Sequence, residues 1–213
     1  MTARASRPID LRLIVITDQR LAAPRTIEWV VAEALAAGAP AVQLRDQQAS
    51  SAQLFEQALR LRELTQRHHA LLFINDRLDI ADGVNADGVH LGPDDLPVAA
   101  AHAVYAELLL GYSTDSPERA RAARTEGAAY IGCGAVFATT SKAEVVNEQI
   151  GVDGLRTVVE AVSSPVVAIG GITPLNVQAV ADTGAAGCAV IKAIMSAAEP
   201  GQVANALLRA FDR

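Results

Sequence analysis

Two polar pairs, Asn75-Asp76 and Asp94-Asp95, follow short apolar runs in the stretch LFINDRLDIADGVNADGVHLGPDDL from Leu72 to Leu96. Asp76 and Asp95 are hard oxygen ligands, suited to a Mg²⁺ ion that keeps several waters and bridges to a diphosphate. Asp94 or Asp95 ahead of LPVAAA suits a helix N-cap equally well, and spacing alone does not choose between these roles. Arg45 adds a planar fork for phosphate oxygens, and Lys142 in the loop FATTSK adds a point charge beside the hydroxyls of Thr139 and Ser141. For both cations the alternative is plain surface solvation.

Gly170-Gly171 in AIGGI, with Lys192 after the run ending in AVIKAIM, marks a second cluster. Glycine lets an anion approach backbone N–H groups, and it also serves any tight turn that needs positive φ. His68-His69 reads as the end of a helix, and His102 as structural. His90, beside the acidic pairs, is expected to hydrogen-bond a carboxylate and not to act as a catalyst. No Ser-His-Asp or Cys-His grouping stands out. Cys133 and Cys188 each lie inside an apolar run without metal-ligand spacing, which predicts buried thiols in a reducing compartment.

Eight apolar, often β-branched runs are available to position these groups: Leu11–Thr17, Ala41–Leu44, Ala70–Ile74, Gly88–Leu91, Leu108–Tyr112, Ala129–Cys133, Val166–Ile169 and Gly187–Ile191. Helical periodicity occupies Thr26–Ala37, Ser51–His68, Pro117–Glu126, Val152–Val162 and Pro174–Thr183, with shorter segments after the third and fourth runs. Ser50 or Ser51, Ser116-Pro117 and Thr173-Pro174 serve as starts, and Gly38, Gly127 and Gly184 as stops. The pattern predicts a single-domain (β/α)₈ TIM barrel over 1–213, with residues 1–10 a short N-terminal extension; a doubly wound open sheet is the alternative. In a barrel the active groups belong at the C-terminal ends of the strands, where Thr17-Asp18, Gln43, Arg45, Asn75-Asp76, His90, Ser113, Thr139 to Lys142, Gly170-Gly171 and Lys192 all fall.

Composition narrows the function classes. The 213 residues are 51% hydrophobic and only 4% aromatic, which suits strands covered on both faces by helices. A net charge of −6 speaks against a nucleic-acid footprint, which needs clustered Lys and Arg. MTARASRPID has no apolar signal core and the apolar runs are too short to span a bilayer, so a cytoplasmic location and small-molecule partners are expected. The sequence leaves a homo-oligomer open.

Five blocks in order give the chain a resemblance to the thiamine phosphate synthase family, from VITD at Val15 to IKAI at Ile191: VQLRD at Val42, FINDRLDIA at Phe73, ADGVHLGPDDLP at Ala86, GYS at Gly111 with YIGCGAVFATTSK at Tyr130, and PVVAIGGI at Pro165. The resemblance implies a Mg²⁺-dependent transferase that joins a pyrimidine diphosphate to a thiazole phosphate and releases pyrophosphate. It implies Asp76 and Asp95 as metal ligands. It places the pyrimidine diphosphate on Gln43, Leu44, Arg45, Asp46, Gln47, Asn75, Ser113 and Lys142, and the thiazole phosphate on Thr139, Thr140, Ser141, Gly171, Ile191 and Lys192. Arg45, Lys142 and Ser113 are the implied catalytic residues. The chain departs from the family at Gln47, where a lysine of a Q-L-R-x-K motif is usual, at Lys192, where serine is common, and more mildly at Pro93 and Ala135. A thiazole tautomerase relative fits less well, since its catalytic histidine follows the G-x-S segment that here reads Gly-Tyr-Ser-Thr-Asp. The residues are also compatible with a sugar-phosphate isomerase on a phosphate-binding barrel and with a non-catalytic binder of a thiamine precursor.

Overall fold

A computed structural model describes residues 9–139 and 149–212. Eight parallel strands, β1 (Leu13–Ile16), β2 (Ala41–Leu44), β3 (Leu71–Asn75), β4 (Gly88–Leu91), β5 (Leu109–Ser113), β6 (Ala128–Cys133), β7 (Val166–Ile169) and β8 (Gly187–Val190), pair in sequence order, and β8 closes on β1. Each strand is a run of four to six residues buried on nearly every position, as a sheet packed on both faces requires. The (β/α)₈ barrel is therefore the fold, and the open sheet is excluded by the β1–β8 ladder, with Leu13 opposite Cys188 and Val15 opposite Val190.

The helices are α1 (Gln19–Ala22), α2 (Ile27–Ala36), α3 (Ser51–Arg67), α4 (Leu78–Gly83), α5 (Val98–Val104), α6 (Pro117–Thr125), α7 (Gly151–Ala161), α8 (Val177–Ala181), α9 (Lys192–Met195) and α10 (Pro200–Arg209). Their starts follow local chemistry. Ser50 accepts from the Gln53 N–H at 3.3 Å while the Gln53 side chain accepts from the Ser50 N–H at 2.9 Å, a reciprocal capping box. Ser116 caps α6 through the Arg119 N–H, with Pro117 at the first helical position. The expected stops, Gly38, Gly127 and Gly184, all take positive φ.

The expected start at Thr173-Pro174 is corrected: Pro174 lies in a turn and α8 begins only at Val177. The Asn176 carboxamide accepts from the Thr173 N–H at 2.8 Å and donates to the Gly171 carbonyl at 3.0 Å, while the Thr173 carbonyl accepts from the Asn176 and Val177 N–H groups, so residues 173–176 form a braced turn that leads into the helix. Residues 1–8 of the expected N-terminal extension lie outside the described residues, and Ile9 and Asp10 lead into β1.

Inside the barrel Phe73 and Tyr130 meet edge to face, with centroids 5.4 Å apart and an interplanar angle of 72°. Glycines on neighbouring strands make room for them. A Cβ at Gly88 would overlap the Phe73 ring and one at Gly111 the Tyr130 ring. The two rings fill the centre, so everything polar inside the barrel is confined to the end above them.

Candidate active site

A cleft of about 1040 Å³ opens at the C-terminal ends of β1 to β5, lined by Asp18, Arg20, Arg45 to Ala49, Asn75, Asp76, His90, Gly92 to Asp95 and Ser113, with Gln53, Glu56 and Arg60 of α3 on its outer wall. Residues far apart in the chain converge here because parallel strands put their ends on one face. Arg45 is held through its backbone, whose N–H donates to the Thr17 hydroxyl at 3.0 Å while that hydroxyl donates to the Arg45 carbonyl at 3.2 Å. Its guanidinium meets no partner among the described residues and faces the cleft. Asp46 is engaged differently: its carboxylate accepts from the Gln48 and Ala49 N–H groups and from the Gln57 amide, bracing the loop that carries Gln47.

Asp76 has φ of 62°, a left-handed conformation that costs an ordinary side chain about 1 kcal/mol. Its N–H donates to the His90 carbonyl at 2.9 Å, which fixes the turn and sets the carboxylate at the cleft. Backbone strain at such a point is a sign of function. Asp95 accepts from the Gly92 N–H at 2.6 Å and closes a tight loop. The N-cap reading for Asp94 and Asp95 fails, because α5 begins at Val98 with Pro97 at its cap and no side-chain capping bond. Both carboxylates instead line the cleft.

Beneath the cleft a cavity of about 20 Å³ leads into the barrel, lined by Gln43, Arg45, Asn75, His90, Ser113, Tyr130 and Gly132 among others. The Tyr130 hydroxyl lies 2.9 Å from His90 Nδ1 and Ser113 Oγ lies 2.7 Å from His90 Nε2, with Gln43 beside them in the same cavity. The expectation that His90 would bond a carboxylate is thus replaced, at its ring nitrogens, by two hydroxyls. Burial pushes the Tyr130 phenol far above its ordinary range, so it stays neutral. Cys133 and Cys188 are buried free thiols whose pKa burial pushes up to about 12, which keeps them from acting as nucleophiles.

The remaining expected residues lie elsewhere. The Leu44 side chain is fully buried in the core, so only its backbone can serve a ligand. Gly170 and Gly171 both take positive φ, and a Cβ on either would overlap residues 135–138, so the pair also seats the loop after β6. Ile191 is buried and Lys192 exposed at the start of the short helix α9, on the β7–β8 side of the mouth and outside the cleft lining. Thr139 is exposed at the edge of the described residues, while Thr140, Ser141 and Lys142 lie outside them. Sequence reasoning missed Tyr130, whose only signal was its inward register with Gly132 on β6. It also missed Arg20 and Arg60 on the cleft wall.

The family model described as thiamine monophosphate synthase matches residues 13–194. The chain belongs to this family. Relatives named thiamine-phosphate synthase include one from Haloarcula marismortui, 42% identical over 96% of this chain and 99% of its own, and one from Pyrococcus abyssi, 46% identical over 89% of each. The solved structure of a thiamine phosphate pyrophosphorylase from Pyrococcus furiosus superposes with a TM-score of 0.87 at 41% identity, covering 95% of this chain and 96% of that one. Membership in the thiamine monophosphate synthase family accords with a cleft rich in both cations and carboxylates. No helix among the described residues is long and apolar enough to cross a membrane.

Proposed function

We propose that the protein is a thiamine-phosphate synthase, a transferase that joins a pyrimidine diphosphate to a thiazole phosphate and releases pyrophosphate in the reducing setting of the cytoplasm. The observation that carries this reading is the convergence of Arg45, Gln47, Asn75, Asp76, Asp95 and Ser113 on one cleft. Arg45 faces it without a protein partner among the described residues and so offers both guanidinium edges to diphosphate oxygens.

The donor set fits Mg²⁺. Among the six acidic residues that line the cleft, Asp76 and Asp95 follow the ends of neighbouring strands, and two such carboxylates suit an ion whose other positions go to water and substrate oxygens. Asp76 and Asp95 would hold it, and it would neutralise charge on the leaving diphosphate. Arg45 and Lys142 orient the same group, with Gln47 contributing a neutral amide where the family usually has a cation. Gln43, Asn75 and Ser113 complete the site for the pyrimidine diphosphate. Gly171, Ile191 and Lys192, at the β7–β8 side of the mouth, take the thiazole phosphate, a role the family resemblance gives also to Thr139, Thr140 and Ser141.

In the reaction the bond from the pyrimidine methylene carbon to the diphosphate oxygen breaks, and its electron pair leaves with pyrophosphate. The thiazole nitrogen lone pair then forms the new carbon–nitrogen bond. No proton is moved by a strong base, which agrees with a cleft offering charges and amides. Alignment and charge stabilisation supply the rate. The direct test is formation of thiamine phosphate and pyrophosphate by purified protein, with and without Mg²⁺. Product that requires the metal is the expected result; absence of product with both substrates bound would overturn the reading.

A further inference from the structure

Four polar side chains form a continuous line across the inside of the barrel below the cleft. Gln43 of β2 lines the same small cavity as the Tyr130 hydroxyl of β6, that hydroxyl lies 2.9 Å from His90 Nδ1 on β4, and His90 Nε2 lies 2.7 Å from Ser113 Oγ at the end of β5. The line is built with care for space. A Cβ at Gly111 would overlap the Tyr130 ring, and one at Gly132 would come within 2.9 Å of His90 Cε1. Tyr130 is buried, His90 and Ser113 reach the cleft, and Gln43 lines the small cavity beneath it.

Proton counting constrains such a line. The Tyr130 hydroxyl has one proton and two neighbours, so when it donates to one it accepts from the other. A neutral imidazole likewise donates at one nitrogen and accepts at the other. The whole line therefore runs one way or the opposite way. In one direction Gln43 N–H donates to Tyr130, Tyr130 O–H donates to His90 Nδ1, and His90 Nε2–H donates to Ser113. Ser113 then has its own proton to give to a ligand, and Gln43 its carbonyl oxygen to accept with. In the opposite direction Ser113 gives its proton to His90 and Gln43 turns an N–H outward.

We propose that the first direction holds, and that Tyr130 and His90 are positioning residues which make Ser113 a hydrogen-bond donor and Gln43 an acceptor toward the ligand. The choice of direction rests on the proposed reaction: a diphosphate oxygen beside Arg45 needs donors, and the exocyclic amine of an aminopyrimidine needs an acceptor. The first direction puts the donor at Ser113 and the acceptor at Gln43, and the opposite direction exchanges them. The polarity of two ligand contacts is in this way set by a proton that neither of them carries.

The test is the ring nitrogen spectrum of His90 in ¹⁵N-labelled protein without ligand, which reports the tautomer directly. His68, His69 and His102 are exposed, so the ring N–H that exchanges slowly belongs to His90. The expected result is the Nε2–H tautomer, changing to a mixture in Tyr130→Phe. In the synthase assay Tyr130→Phe should raise KM for the pyrimidine diphosphate about tenfold, the cost of one mispaired buried group, and leave KM for the thiazole phosphate unchanged. An Nδ1–H tautomer or an imidazolium in the unaltered protein overturns the proposal, whatever the activity. Should Tyr130→Phe fail to fold, Ser113→Ala reads the line from its other end. There the Nε2–H signal shifts and exchanges faster, and an unmoved signal overturns the proposal as well. An inactive wild type with the expected tautomer would defeat the synthase reading alone.

Discussion

The two ends of the barrel use the same charged residue types for opposite purposes. At the N-terminal end arginines have partners within the chain: Arg62 lies 2.5 Å from Asp87, whose carboxylate also accepts from the Leu72 N–H at 2.7 Å; Arg12 bridges Asp10 and Asp212; and Arg124 donates to Ser164 at 2.9 Å. At the C-terminal end Arg45 faces the cleft with no partner for its guanidinium among the described residues, and Asp76 sits in a strained turn. Charges satisfied within the chain hold helices onto strands, whereas a guanidinium left to a ligand, as at Arg45, stores binding capacity at a cost in stability. Substitutions at the mouth should therefore alter activity and leave stability nearly untouched, and those at the base the reverse.

The sharpest way to break this division is Asp76→Asn. Asn tolerates the left-handed conformation that Ala does not, so the substitution removes charge with little strain. Activity in the Mg²⁺-dependent assay should fall by roughly 100-fold or more, with the unfolding midpoint within about 2 °C of wild type. Retained activity would remove Asp76 from the metal site, and a collapsed midpoint would show the mouth to be structural after all. Asp87→Ala tests the other end. It leaves Arg62 buried without its carboxylate and the Leu72 N–H without its acceptor, and should cost about 3 kcal/mol in denaturant unfolding. Turnover per folded molecule should stay the same; a specific loss of turnover would mean that the base communicates with the mouth.

Gln47→Lys is the mildest of the three and sharpens the contrast within the mouth itself. Gln47 is exposed on the loop braced by Asp46, so stability should shift by less than about 0.5 kcal/mol. Activity should be equal or higher, up to about tenfold, because a cation is restored beside the leaving diphosphate. A large loss in steady-state turnover would mean that the cleft has been rebuilt around the neutral amide, with Arg20 or Arg60 on its wall supplying the charge instead.

The strands were legible to within two residues, because a barrel strand is a short apolar run and little else competes for that pattern. The start of α8 was not, since nothing in Thr173-Pro174-Leu175-Asn176 reveals that Asn176 will bond back to Gly171. Of the candidate site, the strand-end groups Arg45, Asn75, Asp76, Asp95 and Ser113 could be read from their position after apolar runs, and they share one cleft. The role of Asp95 in closing a loop on Gly92, and the roles of Tyr130 and His90, could not. His90 and Tyr130 are forty positions apart and meet only when β4 and β6 are placed around a closed barrel, a relation that no local spacing encodes.

Gly111 bears on how such a mouth changes over time. It sits two residues below Ser113 on β5, and any side chain there would displace the Tyr130 ring, which lines the cavity beneath the cleft. The depth available to a bound ring is thus gauged from inside the wall and not by the loops around the rim. A lineage could shorten or lengthen the molecules it admits by exchanging a methyl group for a hydrogen at a position that no ligand ever touches.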